Sequence, residues 1–164
     1  MAIGLNATDK LILVPRFPAC GGKIRYREEL ISTGGEAATA MVACAALGLR
    51  TSYIGSVGDD EYGRIQVESL RRSGVCIDHL LYRRNCPNQS ACIIVDQSSG
   101  ERTVFAHRPD ALGIDPSEIP EEHVLSARLL HLDGHNTDAA AYAASLAHGA
   151  GIPVTMDVDT GYPG

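Results

Sequence analysis

The sequence predicts an α/β fold: a largely parallel sheet with helices on both faces, joined to a small β-lid. Three observations carry this. Short apolar runs, at residues 51–54, 129–132 and 152–157, alternate with helix-like segments at 36–47, 61–72 and 137–148. That order favours parallel strands, which need helical crossovers and end up covered on both sides. Residues 90–95 and 102–106 stand apart from the alternation, because they flank Asp96, Gln97, Ser98, Ser99 and Gly100, a turn composition that makes a hairpin.

In chain order, Ile3, Gly4, Leu5 and Asn6 lead through Ala7, Thr8 and Asp9 into an apolar run at 11–14. This predicts a strand that starts the sheet and delivers Asp9 near its end. Pro15, Pro18, Gly21 and Gly22 punctuate a turn region. From Lys23 onward, Ile24, Tyr26 and Leu30 are interleaved with Arg25, Arg27 and Glu29, the pattern of a half-exposed strand. Gly34 and Gly35 come next, and two residues without Cβ let a backbone turn tightly and approach a ligand.

Residues 36–47 are mostly Ala, the best helix former, and small enough to lie close on a sheet. Gly48 stops that helix. Residues 51–54 read as a buried strand and 55–58 as the turn after it. Asp59, Asp60 and Glu61 are acids placed where a helix start favours them. Ile65, Val67 and Leu70 among charged residues make 61–72 an amphipathic helix ended by Gly74. Residues 75–77 and 80–82 read as short strands and 85–88 as a turn. Beyond the hairpin, Pro116 marks a short helix starting within 114–118. The strand at 129–132 ends at Asp133 and Gly134. Thr137 and Asp138 open an Ala-rich helix to His148, closed by Gly149. A strand at 152–157 follows, and the chain closes on Gly161, Tyr162, Pro163 and Gly164.

At 164 residues there is room for one sizeable core rather than two. Apolar residues at 45% and charged residues at 21% fit a soluble globular chain and argue against disorder. A net charge of −6 argues against nucleic acid or an anionic membrane as the main partner. No apolar run approaches the roughly 20 residues of a membrane span, and Met1, Ala2, Ile3 and Gly4 do not open a signal peptide. Five cysteines, Cys20, Cys44, Cys76, Cys86 and Cys92, are odd in number and form no Cys-x-x-Cys pair. Reduced thiols in the cytoplasm are expected. The acceptor patterns at Asn6 and Asn88 read as chance matches without a secretion signal.

Gly34-Gly35, Thr39, a helix, and then Gly58-Asp59-Asp60 through Gly63 together resemble the first signature of the ribokinase-like (pfkB) family of carbohydrate kinases. The family usually has Asn where this chain has Thr39. The resemblance runs along nearly the whole chain. It implies that Asp9 binds sugar hydroxyls, since a carboxylate accepts two hydrogen bonds at once. It implies that Gly34, Gly35 and Thr39 help hold the sugar, and that Asp133 lies near it. Arg108, in the segment 107–111, sits where many relatives carry an Arg-Gly-Ala-Asn-like segment leading out of the lid, and could contact an acidic or phosphorylated sugar. On the residues alone, Asp9 and Asp133 also read as turn aspartates and Arg108 as a solvated surface arginine. Asp9, Gly34, Gly35 and Asp133 are expected at the carboxyl ends of strands, where parallel sheets bind ligands. Lid segments are expected near 11–32 and 86–108. Their open face would be covered by a second copy in a homodimer, or the lid would close on its own domain.

A rival reading takes His131, Asp133 and His135 as ligands of a divalent metal, although their spacing is no specific signature. No Walker loop, dinucleotide fingerprint or Ser-His-Asp order occurs. The resemblance places the family's catalytic aspartate in a downstream Gly-Ala-Gly-Asp motif, and its magnesium segment, Asn-x-x-Glu, lies downstream too. Neither motif is in these 164 residues. The expectation is therefore the N-terminal half of one ribokinase-like domain, spanning 1–164, with no catalytic residue and no metal site of its own. Its parent would be an ATP- and Mg2+-dependent kinase that transfers the γ-phosphate to a hydroxyl of a small carbohydrate. The chain alone would bind sugar weakly and turn nothing over. The alternatives are a non-catalytic sugar-binding or dimerisation module and a nucleoside kinase of the same family.

Overall fold

A computed structural model describes residues 1–158; Gly161, Tyr162, Pro163 and Gly164, on which the chain closes, lie outside the described residues. The elements run β1 (Ala2–Ile3), β2 (Ala7–Val14), β3 (Glu28–Gly34), α1 (Glu36–Ala46), β4 (Tyr53–Ile54), β5 (Ser56–Gly58) and α2 (Glu61–Arg72). They continue β6 (Leu81–Arg83), β7 (Ser90–Asp96), β8 (Arg102–His107), α3 (Glu121–Leu125), β9 (Leu130–Leu132), α4 (Thr137–Gly149) and β10 (Val154–Met156). A parallel sheet in the order β10-β9-β1-β4 forms the centre, and β3-β2-β7-β8 form a second, mixed sheet. This is the α/β architecture expected, with the lid as a separate sheet.

Side-chain alternation explains the two-sided core. Ala2 and Tyr53 point to one face of the central sheet, where Ala37, Ala38 and Met41 of α1 and Val67 and Leu70 of α2 pack. Ile3 and Ile54 point to the other, against Leu130, Leu132, Val124 of α3 and the alanines of α4. Fully burying one such aliphatic side chain is worth roughly 1.5–3 kcal/mol. In α2 the buried set is Gly63, Gln66, Val67 and Leu70, the i, i+3, i+4, i+7 stripe of an amphipathic helix. Asp60 caps it by accepting the Gly63 N–H at 2.9 Å.

Several local expectations are corrected. Residues 3–14 are not one strand. β1 stops at Ile3, the chain crosses over at Gly4, Leu5 and Asn6, and β2 begins in the lid sheet. Asp9 thus lies early in a lid strand, not at the end of a core strand. A buried amide network forms this crossing: the Asn6 side chain donates to Tyr53 Oη (3.1 Å) and Ser56 O (2.7 Å), and that of Asn88 donates to Asn6 Oδ1 (3.3 Å). Residues 23–27 form no strand; pairing starts at Glu28, opposite Leu13. Residues 55–58 include a strand, because Ser56, Val57 and Gly58 pair in parallel with β6. Residues 75–77 contribute only a bridge from Cys76 to Ser52. The expected helix near 114–118 is a 3-10 turn, Pro116–Glu118, closed by an Asp115 and Glu118 capping box, and α3 follows it.

Gly35 shows how tightly this crossing packs. Its φ is 93°, and a Cβ there would stand 2.4 Å from Asn6 Cα. Gly35→Ala should cost about 2–3 kcal/mol through left-handed strain and backbone overlap. Urea unfolding would show it as a lower midpoint at unchanged slope.

Candidate functional site

The site is built where β3 turns into α1. Gly34 pairs with Ala7 at the end of β3, and Asp9 is two residues further along β2. A Cβ on Gly34 would stand 2.7 Å from Asp9 Oδ2, so the glycine makes room for that carboxylate. Among the described residues the Asp9 carboxylate has no hydrogen-bond partner. Burial, and next the nearby Glu36 charge, push its pKa above the ordinary carboxylate value.

Glu36 opens α1 directly after Gly35. Its Oε1 lies 3.4 Å from His135 Nε2, and its Oε2 is enclosed without a partner. Thr39 is one turn further along, exposed, and on the same side of the helix as Glu36. Its backbone N–H donates to Gly35 O at 2.8 Å.

Asp133 turns the other way. It is 5% exposed and accepts three backbone N–H groups: Leu5 (2.5 Å) and Ala37 (3.3 Å) on Oδ2, and His135 (3.1 Å) on Oδ1. A Cβ on Gly4 would stand 2.2 Å from Oδ2, so the strand crossing also closes over it. The carboxylate sits at the α1 N-terminus, where backbone N–H groups and the helix dipole favour an anion. It holds the β1 crossing, α1 and the turn after β9 together beneath the site.

Arg108, just past β8, reaches that same turn. Its Nη1 donates to His135 O (3.1 Å) and its Nη2 to Asn136 Oδ1 (2.9 Å). Asn136 also accepts the Ile114 N–H, at 3.2 Å, so it holds the lid exit instead of capping α4 with its side chain. Asn6, Ser56, Gln89, Arg108, Leu112 and Asn136 line a small polar cleft here. Gln89, at the lid base, is 8% exposed with its Oε1 unpartnered.

The structure therefore gathers Asp9, Gly34, Gly35, Glu36 and His135, with Thr39 alongside, Asp133 beneath and Arg108 on the flank. Glu36 and Gln89 were not singled out in the sequence, and His135 only as a metal ligand in the rival reading. A carboxylate directly after the glycine pair was the one visible signal. The histidines of the rival metal reading diverge: His131 Nδ1 meets Thr155 Oγ1 at 3.0 Å while His135 meets Glu36. Among the described residues no three His, Cys, Asp or Glu side chains group to hold a metal, and no helix is long and apolar enough to cross a membrane.

The pattern of the pfkB family of carbohydrate kinases is matched over residues 10–160. The chain is 31% identical to the ATP-dependent ribose-1-phosphate kinase of Halopiger xanaduensis, over 91% of this chain and 50% of that protein. It is 30% identical to the 5-dehydro-2-deoxygluconokinase of Shouchella clausii, over 77% of this chain and 41% of that one. A crystal structure from Agrobacterium tumefaciens, described as a candidate ribokinase, superposes with a TM-score of 0.88 at 26% identity. That match covers 98% of this chain and 52% of the other. The chain spans about half the length of the curated relatives it matches.

Proposed function

Because this chain belongs to the pfkB family of carbohydrate kinases, we propose that it supplies the sugar platform and lid of an ATP-dependent carbohydrate kinase. The polypeptide carrying it would transfer the ATP γ-phosphate to a hydroxyl of a small carbohydrate. One observation supports this most: Asp9 is held over Gly34, unpartnered and partly buried, where an incoming hydroxyl can donate to it. Gly34 and Gly35 would let that hydroxyl approach the backbone, and Thr39 would add a second polar contact. Arg108 would flank the sugar from the lid exit, and Asp133 would support the floor. The acceptor hydroxyl would be deprotonated by an aspartate outside these residues for in-line attack on phosphorus. ATP use rests on the kinase relatives. The described residues offer neither a Walker loop nor a grouped metal site, so Mg2+ and the nucleotide would be held elsewhere in the polypeptide. The cytoplasm is the compartment proposed, on the cysteine pattern.

The test is the intact mass of the protein from its own host, followed by a sugar and nucleoside screen for ATP consumption. A mass about twice 17.4 kDa with sugar-dependent ATP consumption supports the proposal. A mass near 17.4 kDa without turnover favours a sugar-binding or dimerising module, and turnover of nucleosides alone favours the nucleoside kinase.

A homodimer through the lid is also proposed. By strand register, Leu30, Leu11, Ile93 and Val104 form one row across the lid sheet, and Leu30 and Val104 are 61% and 44% exposed. A second copy laid on this row would remove apolar surface from water. Val104→Asp should then halve the sedimenting mass; a wild-type protein that sediments as a monomer would end the dimer reading.

A further inference from the structure

We infer that Glu36 sets the charge class of the acceptor, making with Asp9 a carboxylate pair that takes a neutral or cationic, donor-rich carbohydrate and disfavours one carrying phosphate or carboxylate at that end. The inference rests on the sugar-kinase reading above and deepens it.

Glu36 is the first residue after the glycine pair that turns the chain beside Asp9. Its side chain is 27% exposed; Oε1 has His135 Nε2 at 3.4 Å, and Oε2 is enclosed without a partner. Asp9 has no partner among the described residues either. Ionised carboxylates offer only acceptor lone pairs. Asp9 and Glu36 bring two carboxylates to this place, and the one imidazole at hand, that of His135, stands at Glu36 Oε1, so the Asp9 oxygens await hydroxyl or ammonium hydrogens beside a second negative charge. An acceptor left unmet in such a site is costly, and a ligand rich in donors relieves it. A phosphate or carboxylate brought here adds like charge at short range and supplies no donor.

Arg108 is the nearby cation that could offset this. Its two terminal nitrogens donate to His135 O and Asn136 Oδ1, so its hydrogen bonds serve the turn after β9. The rise of the Asp9 pKa, from burial first and Glu36 second, agrees with two carboxylates sharing one partly desolvated place.

The experiment uses the polypeptide at its natural length. Calorimetry would give Kd for ribose, fructose and glucose against their phosphate esters, gluconate and glucosamine, in wild type, Glu36→Gln and Glu36→Lys. Wild type should bind its best neutral sugar at least about tenfold tighter than the matching anion. Glu36→Gln keeps the side chain's shape and should shrink that ratio to a few fold; Glu36→Lys should invert it. Melting curves identify a variant that fails to fold, and Glu36→Gln alone decides the matter if Glu36→Lys does not fold. An unchanged ratio in Glu36→Gln, or a wild type that prefers the anion, overturns the inference while the kinase reading stands. Binding of no carbohydrate at all overturns both.

Discussion

Asp133→Ala is expected to destabilise the fold by about 4–5 kcal/mol, a loss large enough to unfold many domains of this size. The carboxylate is buried and accepts N–H groups from Leu5, Ala37 and His135. Each is a charge-assisted bond in a water-poor place, and each donor left behind carries a desolvation penalty of about 1–3 kcal/mol. The terms do not add fully, because the freed loop relaxes. Asp133→Asn should fare little better. Two of the three donors converge on Oδ2, and an amide that accepts them with its one oxygen turns an NH2 group towards His135 N–H. Urea unfolding read by circular dichroism checks both variants. An unchanged midpoint together with lost sugar binding would return Asp133 to direct substrate contact.

That dual character of Asp133 shows which features were legible in the sequence. The lid hairpin was readable because residues 90–95 and 102–106 flank a turn composition and their pairing with each other is local, whereas the parallel pairing of residues 90–96 with 8–14 is not. The starts of α1 and α2 were readable because Gly35 O accepts the Thr39 N–H and the Asp60 side chain accepts the Gly63 N–H, each within a few residues. The switch from β1 to β2 was not. Apolar residues continue on both sides of it, and what separates the two sheets is an amide network linking Asn6 to residues 53, 56 and 88. Strand β5 was read as a turn from its flanking glycines, yet it is held by pairing with residues 81–83. The site divides in the same way. Gly34, Gly35 and Asp9 fall within one motif-sized neighbourhood of chain and sheet, so a pattern carries them. Glu36 and His135 are 99 residues apart, and Asp133 meets Leu5 across 128. No local spacing encodes such meetings.

Asp9 should behave in the opposite way to Asp133. In the natural-length polypeptide, Asp9→Ala or Asp9→Asn should weaken sugar binding by about two orders of magnitude, since one or two charge-assisted hydrogen bonds of about 1.5–3 kcal/mol each are lost. Nucleotide affinity should stay within about twofold, because the described site provides no phosphate cradle. Stability should rise. An acid whose pKa is higher folded than unfolded binds more protons when folded, in the window between the two values. Stability then falls as pH rises through that window, so ionised Asp9 works against the fold at neutral pH. Asp9→Asn should therefore melt higher than the parent at neutral pH. The gain should shrink as pH falls towards the ordinary aspartate value of 3.8. Calorimetric binding of sugar and of nucleotide, with melting curves across pH, reads all three effects. Lost affinity with gained stability is the signature of a carboxylate kept for its ligand. Unchanged sugar affinity in Asp9→Asn would remove Asp9 from the site, and lost stability at neutral pH would show that its charge is held by the protein itself.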